Sequence, residues 1–116
     1  MAYDGNCHRG AVAFSVDGDA PGQALSCNCS ICRRTGALLG FVPRSSLAIR
    51  SGEASLQGQS FNTHKIAHWF CATCGIETFA NADAPDGTPS AAINLRCVPA
   101  IGLDALEIQR DDGASR

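Results

Sequence analysis

Residues 66–80 read Ile66-Ala67-His68-Trp69-Phe70-Cys71-Ala72-Thr73-Cys74-Gly75-Ile76-Glu77-Thr78-Phe79-Ala80. Ile66, His68 and Phe70 alternate with Ala67 and Trp69, which is the period of a strand, and a second strand is expected over Ile76–Ala80. Between them lies a CxxCG turn. Two thiolates at this spacing can converge on one ion at Zn–S distances of about 2.3 Å, with backbone N–H groups supporting the sulfurs. That is half of a tetrahedral site, and Cys7 is the obvious source of a further ligand. The competing assignment is a thioredoxin-like redox pair. Such a pair opens a helix after a strand within a βαβ unit, whereas here strands flank it.

The same short alternation extends outward in both directions. Ala11–Val16 places Val12, Phe14 and Val16 on one face, and strands are expected over Leu38–Val42, Leu47–Arg50, Ala54–Gln59 and Ala91–Val98. Leu103–Gln109 reads as an edge strand or one helical turn. Asp17-Gly18-Asp19, Pro21-Gly22, Ser51-Gly52 and Asp86-Gly87 mark turns, and Ala82–Pro89 a polar loop. The one helix candidate is Arg33-Arg34-Thr35, stopped by Gly36. The fold class is therefore mainly β, of small antiparallel sheets with little helix. No repeat or linker divides the 116 residues, so 1–116 reads as a single domain, with 110–116 as a frayed tail.

Composition narrows the function. Hydrophobic residues are 45 % and charged residues 17 %, which is globular and not disordered. A net charge of −2 excludes the broad basic surface used to grip nucleic acid. No stretch approaches the roughly 18 apolar residues of a membrane span. Met1–Cys7 lacks the basic and apolar regions of a signal peptide. The expected setting is the cytoplasm, where cysteines stay reduced and clusters point to metal or redox chemistry. The cysteine count of 7 is odd, which a fully paired disulfide framework does not accommodate.

Cys27-Asn28-Cys29-Ser30-Ile31-Cys32 is a CxCxxC triplet. It brings three thiolates to one loop and needs no distant partner. Three protein ligands leave a fourth position open, as in reactive zinc sites. Zn²⁺ with three thiolates carries net −1, which suits holding a substrate thiolate better than generating hydroxide. A structural site closed by a fourth residue, or an empty thiol cluster, is the alternative. Arg33 and Arg34 follow at once and could grip a substrate carboxylate or be solvated surface groups. Cys97 reads as a small buried residue late in a strand, or else as a redox nucleophile. His68, on the face of Ile66 and Phe70, reads as a hydrogen-bonded core histidine; for it and His64, support of a metal ligand is the alternative.

Together these features resemble the glutathione-dependent formaldehyde-activating enzyme family, which includes the centromere protein V type proteins. The resemblance rests on Gly5-Asn6-Cys7-His8 with Gly10-Ala11-Val12, on Cys27–Gly36, on Thr63–Gly75 and on Asn94-Leu95-Arg96-Cys97. It covers Gly5 to about Gly113. It implies a β-tent fold pinned by zinc at two sites: a catalytic one at Cys27, Cys29 and Cys32, and a structural one to which Cys7, Cys71 and Cys74 contribute. It also implies a carbon–sulfur lyase that condenses glutathione, as cosubstrate, with formaldehyde to give S-hydroxymethylglutathione. The sequence departs from the family at Cys7-His8-Arg9-Gly10, where the family usually reads CHCG. Arg9 stays protonated and does not ligate a metal. Adjacent His8 points to the opposite side of an extended chain. The structural site thus has three identifiable ligands.

Three functions follow. The first is carbon–sulfur chemistry on a small thiol such as glutathione, at the triplet. The second is a non-catalytic zinc module for a macromolecular partner. The third is a thiol redox enzyme using Cys97, which requires that cysteine to be exposed beside a pocket.

Overall fold

The structure is a computed structural model and describes residues 2–28, 30–59, 67–83 and 86–111. Its strands are β1 (Ala2–Asn6), β2 (Ala13–Asp17), β3 (Gln23–Cys27), β4 (Leu39–Pro43), β5 (Leu47–Ser51), β6 (Leu56–Gln59), β7 (Ala67–Cys71), β8 (Glu77–Asp83), β9 (Pro89–Asn94) and β10 (Glu107–Asp111). The one α-helix among the described residues is α1 (Ser30–Thr35), ended by Gly36 at φ 72°. The fold is mainly β, as the alternating sequence requires. No described helix is long and apolar enough to cross a membrane.

Two sheets form. One has the order β1-β2-β5 and the other β10-β3-β4-β9-β8-β7-β6. Among the described residues every pairing is antiparallel except β10 with β3, which run parallel with Glu107 opposite Gln23. These two strands are far apart in sequence, so no hairpin fixes their relative direction. Short linkages bend the chain between strands. Arg44–Ser46, Glu53–Ser55, Leu95–Cys97 and Leu103–Ala105 are single 3₁₀ turns.

The structure adjusts several sequence expectations. β1 and β3 were not legible as strands: Gly5 and Asn6 are poor strand formers, and β3 carries a single large apolar residue. Residues 54 and 55 belong to a 3₁₀ turn, and β6 starts at Leu56. The strand expected over Ala91–Val98 stops at Asn94, whose side-chain oxygen accepts from the Arg96 N–H and caps a 3₁₀ turn. Cys97 therefore sits in a turn. The Ala82–Pro89 loop begins only after Asp83. Arg110 and Asp111, assigned to the tail, complete β10. Residues 112–116 lie outside the described part, as do Cys29, His64 and Ile66.

The main core lies between the sheets. Tyr3, Phe14 and Val16 of the small sheet pack with Phe79, Ala91 and Ile93 of the large one. Leu95, Cys97, Val98 and Leu106, from the linkages, complete it. A second cluster covers the opposite face of the large sheet, where Cys32 of α1 lies on Leu39, Ala80 and Ala92 with Ala37 beside it. Small alanines let the helix approach the sheet closely. A third cluster joins Cys7, Val12 and Cys71.

Gly52 is the tightest backbone contact behind that third cluster. It has φ 78°, and an added Cβ would overlap the Ala11 carbonyl oxygen and come within 2.8 Å of the Val12 Cα. Both obstacles are backbone, so no side chain can swing aside. Gly52→Ala is expected to destabilise the chain by about 2–4 kcal/mol, combining left-handed strain with overpacking. Gly22→Ala meets no atom within 4 Å and is expected to change stability by less than about 0.5 kcal/mol. Urea denaturation of both variants checks the pair; equal midpoints would show that the 7–12 loop yields freely.

Candidate metal centre and the cleft beside it

Two tight turns face one another across the sheets. In the first, between β1 and β2, the Gly10 N–H donates to the Cys7 carbonyl at 3.0 Å and the Cys7 N–H to the Val12 carbonyl at 3.0 Å. In the second, between β7 and β8, the Gly75 N–H donates to the Cys71 carbonyl at 2.7 Å and the Cys71 N–H to the Ile76 carbonyl at 3.0 Å. Gly10 (φ 82°) and Gly75 (φ 78°) hold the left-handed position that closes each turn. The sequence places a cysteine at the start of both turns and a second one only in the later turn.

The sulfurs of Cys7, Cys71 and Cys74 all lie within 4.8 Å of one another. Tetrahedral thiolate coordination at about 2.3 Å implies sulfur separations of about 3.8 Å, so the three need only a small contraction around an ion. Cys7 and Cys71 are buried and Cys74 half-buried. Backbone N–H groups serve the sulfurs. Val12 N–H donates to Cys7 Sγ at 3.4 Å. The Arg9 N–H, followed by the Ile76 N–H and the Cys71 and Cys7 thiols, donates to Cys74; against the opposing effect of burial, these bring Cys74 down to about 6. Three soft donors, one already a thiolate at neutral pH, suit a thiophilic metal ion. Arg9 contributes its main chain to this cluster, while its side chain is exposed.

The triplet is seen only in part, because Cys29 lies outside the described residues. Cys27 ends β3 and Cys32 is buried in α1, and the two share the packing cluster on the outer face of the large sheet. Arg33 and Arg34 are exposed in the last turn of α1. No disulfide joins the six described cysteines.

Between α1 and the Cys7 turn runs a cleft of about 420 Å³, whose lining includes Cys7, His8, Thr35, Glu77, Arg96 and Cys97. Cys97 does line it, yet is only 6 % exposed. Its thiol donates to the Glu77 carbonyl at 3.5 Å. Burial first, then the negative charges of Cys7, Cys74 and Glu77, push it up to about 12. It stays protonated at neutral pH, the opposite of what a redox nucleophile needs.

His68 is buried, and its Nδ1 is paired with Glu77 Oε2 at 2.6 Å. The core-histidine expectation holds, with a carboxylate as partner. Sequence reasoning missed Glu77 itself. The signal was available, since Glu77 is the one charged residue in the run Ile76–Ala80 and follows the CxxCG turn.

The profile of a protein family described as "Glutathione-dependent formaldehyde-activating enzyme" matches residues 2–100. Among solved structures, the chain is similar to the crystal structure of a Rhodobacter sphaeroides protein, a structural genomics target, at 29 % identity and a TM-score of 0.78. The match covers 91 % of this chain and 99 % of that one.

The two thiols separate cleanly in a pH profile. In metal-stripped protein, Cys74 is expected to be alkylated by iodoacetamide at pH 7 and to lose reactivity as pH falls through about 6. Cys97 is expected to resist at every pH below about 10, because its titration lies near 12. Peptide mass spectrometry after timed labelling reads both; rapid labelling of Cys97 at pH 7 would contradict its burial.

Proposed function

The chain belongs to the glutathione-dependent formaldehyde-activating enzyme family, and from that premise we propose that it is a zinc-dependent carbon–sulfur lyase-type enzyme acting on small thiol adducts. The observation that carries the reading is the placement of Cys27 and Cys32 on one face of the large sheet, with α1 reaching the cleft through Thr35. With Cys29 between them in sequence, they form the catalytic set. Zinc held there would keep a substrate thiolate deprotonated and close at hand.

The remaining work falls to the protein. Holding thiol and aldehyde together beside the triplet would let the sulfur meet the carbonyl carbon without a bimolecular search. Formation of the C–S bond leaves an alkoxide oxygen that takes a proton, and the reverse step returns aldehyde and thiol. Arg33 and Arg34 offset the negative charge of a tris-thiolate site and of the incoming thiol, and offer a carboxylate two charge-assisted contacts. Glutathione is the proposed cosubstrate and formaldehyde the proposed aldehyde, in a cytoplasmic setting. Cys7, Cys71 and Cys74 would hold a structural zinc, and the first turn carries Arg9 at the position of the family's usual fourth thiolate.

The test of the function is nuclear magnetic resonance exchange between ¹³C-formaldehyde and glutathione. Zinc-loaded protein is expected to speed the appearance of S-hydroxymethylglutathione above the uncatalysed rate, and Cys32→Ser to return it to that rate. No acceleration by the loaded wild type would remove the enzyme reading and favour a non-catalytic zinc module. Arg33→Ala with Arg34→Ala is expected to weaken glutathione binding by roughly 1–3 kcal/mol and to leave zinc content unchanged, as titration calorimetry and metal analysis would report. Arg9→Cys is expected to raise the zinc retained per chain against a competing chelator. Unchanged retention would mean that the Arg9 position lies outside the ion's reach.

A further inference from the structure

The turn Asn94-Leu95-Arg96-Cys97 has no role in the chemistry proposed for the triplet, yet three hydrogen bonds fix it. Asn94 Nδ2 donates to the Glu77 main-chain carbonyl at 2.8 Å, and the Asn94 side-chain oxygen accepts from the Arg96 N–H at 3.2 Å. The Leu95 N–H donates to the Leu38 carbonyl at 2.7 Å. Leu95 and Cys97 are buried, whereas Arg96 between them is exposed and lines the cleft. A rigid turn thus presents one long cationic side chain. Its Nε donates to the Gly36 carbonyl at 2.8 Å, just beyond α1, and Thr35, next to Gly36, is itself a lining residue. That bond holds the guanidinium at the α1 side of the cleft. Its two terminal nitrogens have no hydrogen-bond partner among the described residues.

Where the lining is open, its fixed charge has one sign. Glu77 is the one acidic residue among the described lining residues, but its carboxylate is sealed from the cleft. Oε2 is paired with His68 at 2.6 Å, and Oε1 is withdrawn from the accessible surface. No carboxylate of the lining therefore competes for Arg96. A guanidinium already held by one main-chain bond loses less side-chain freedom on meeting a ligand. Its terminal nitrogen pair matches a planar carboxylate, which accepts two parallel N–H bonds. A volume of about 420 Å³ lies within the range of small-molecule sites.

We propose that this cleft is a carboxylate subsite with Arg96 as its receptor, and that it selects acid-bearing thiols over neutral ones. The subsite deepens the thiol-adduct reading and rests on it. Arg33 and Arg34 lie in the last turn of α1, and Arg96 is tied just past the end of that helix. A thiol with two carboxylates therefore meets cationic groups for both at one end of the helix that carries Cys32.

Titration calorimetry on the zinc-loaded chain tests this with glutathione and glutathione diethyl ester, in which both carboxylates are neutralised while the thiol and the amine are kept. The wild type is expected to bind glutathione about tenfold tighter or more than the diester, the effect of charge-assisted hydrogen bonds. Arg96→Gln is expected to weaken glutathione about tenfold and to leave the diester within about twofold of the wild type. Arg96→Lys keeps the charge without the planar fork and is expected to fall between. Unchanged glutathione affinity in Arg96→Gln overturns the subsite. An equal loss for both ligands also overturns it, and assigns Arg96 to holding the end of α1. In both cases glutathione binding by the wild type leaves the thiol-adduct reading standing. Binding of neither thiol by the wild type removes that reading and the subsite with it. Should Arg96→Gln fail to fold, Arg96→Lys decides by the same comparison, since only a loss selective for glutathione supports the subsite.

Discussion

Three thiols gathered within 4.8 Å, two of them fully buried, are the constraint on which this structure turns. Cys7 comes from the small sheet's first turn, and Cys71 and Cys74 from a hairpin of the large sheet. Their convergence fixes how the two sheets meet. A thiolate at Cys74, set among two further sulfurs, needs a cation or N–H donors beside it. The turns supply the donors, from Val12, Arg9 and Ile76. A domain with one tryptophan, one tyrosine and a core rich in alanine and valine has little apolar area to spare, and the packing of Cys7, Val12 and Cys71 adds a contact between the sheets.

The same clustering shapes the chemistry next door. Its negative charge reaches Cys97, already raised by burial, and takes that thiol further from reactivity. The cleft wall therefore holds an inert thiol, a carboxylate anchored by histidine and a guanidinium anchored by a main-chain carbonyl. The large sheet serves two cores at once. One face packs Phe79, Ala91 and Ile93 against the small sheet, and the other presents Ala80 and Ala92 to α1. Alternation along β8 and β9 makes this division automatic, because neighbouring side chains point to opposite faces.

Much of this was legible in the chain. Cys71 and Cys74 straddle a turn between two alternating segments, which favoured a strand–turn–strand hairpin over a thioredoxin-like pair, and β7 and β8 form that hairpin. Gly36 had to stop the helix after Thr35, and it does. The pairing of Cys7 with the CxxCG turn followed from the need of two thiolates for more ligands. The family resemblance resting on these motifs agrees with the profile match over residues 2–100. β1 and β3 escaped notice because their strand character comes from neighbours and not from their own residues. The end of β9 was missed for a similar reason: Asn94 turns the chain through a local cap that apolar periodicity does not reveal.

The fold class and the cysteine turns, with thiols that could hold a metal ion, were readable from the chain, because these depend on local spacing and on the chemistry of single side chains. The tertiary structure alone decided the parallel seating of β10 on β3, the isolation of Cys97, and the meeting of His68 with Glu77 across β7 and β8. Each depends on which segments become neighbours after folding, and on how deeply a polar group is then withdrawn from water. Local spacing carries no record of either. The cleft belongs to that second class, since its walls come from the β1–β2 turn, α1, β8 and the Asn94–Pro99 linkage, segments that only the closed pair of sheets brings together.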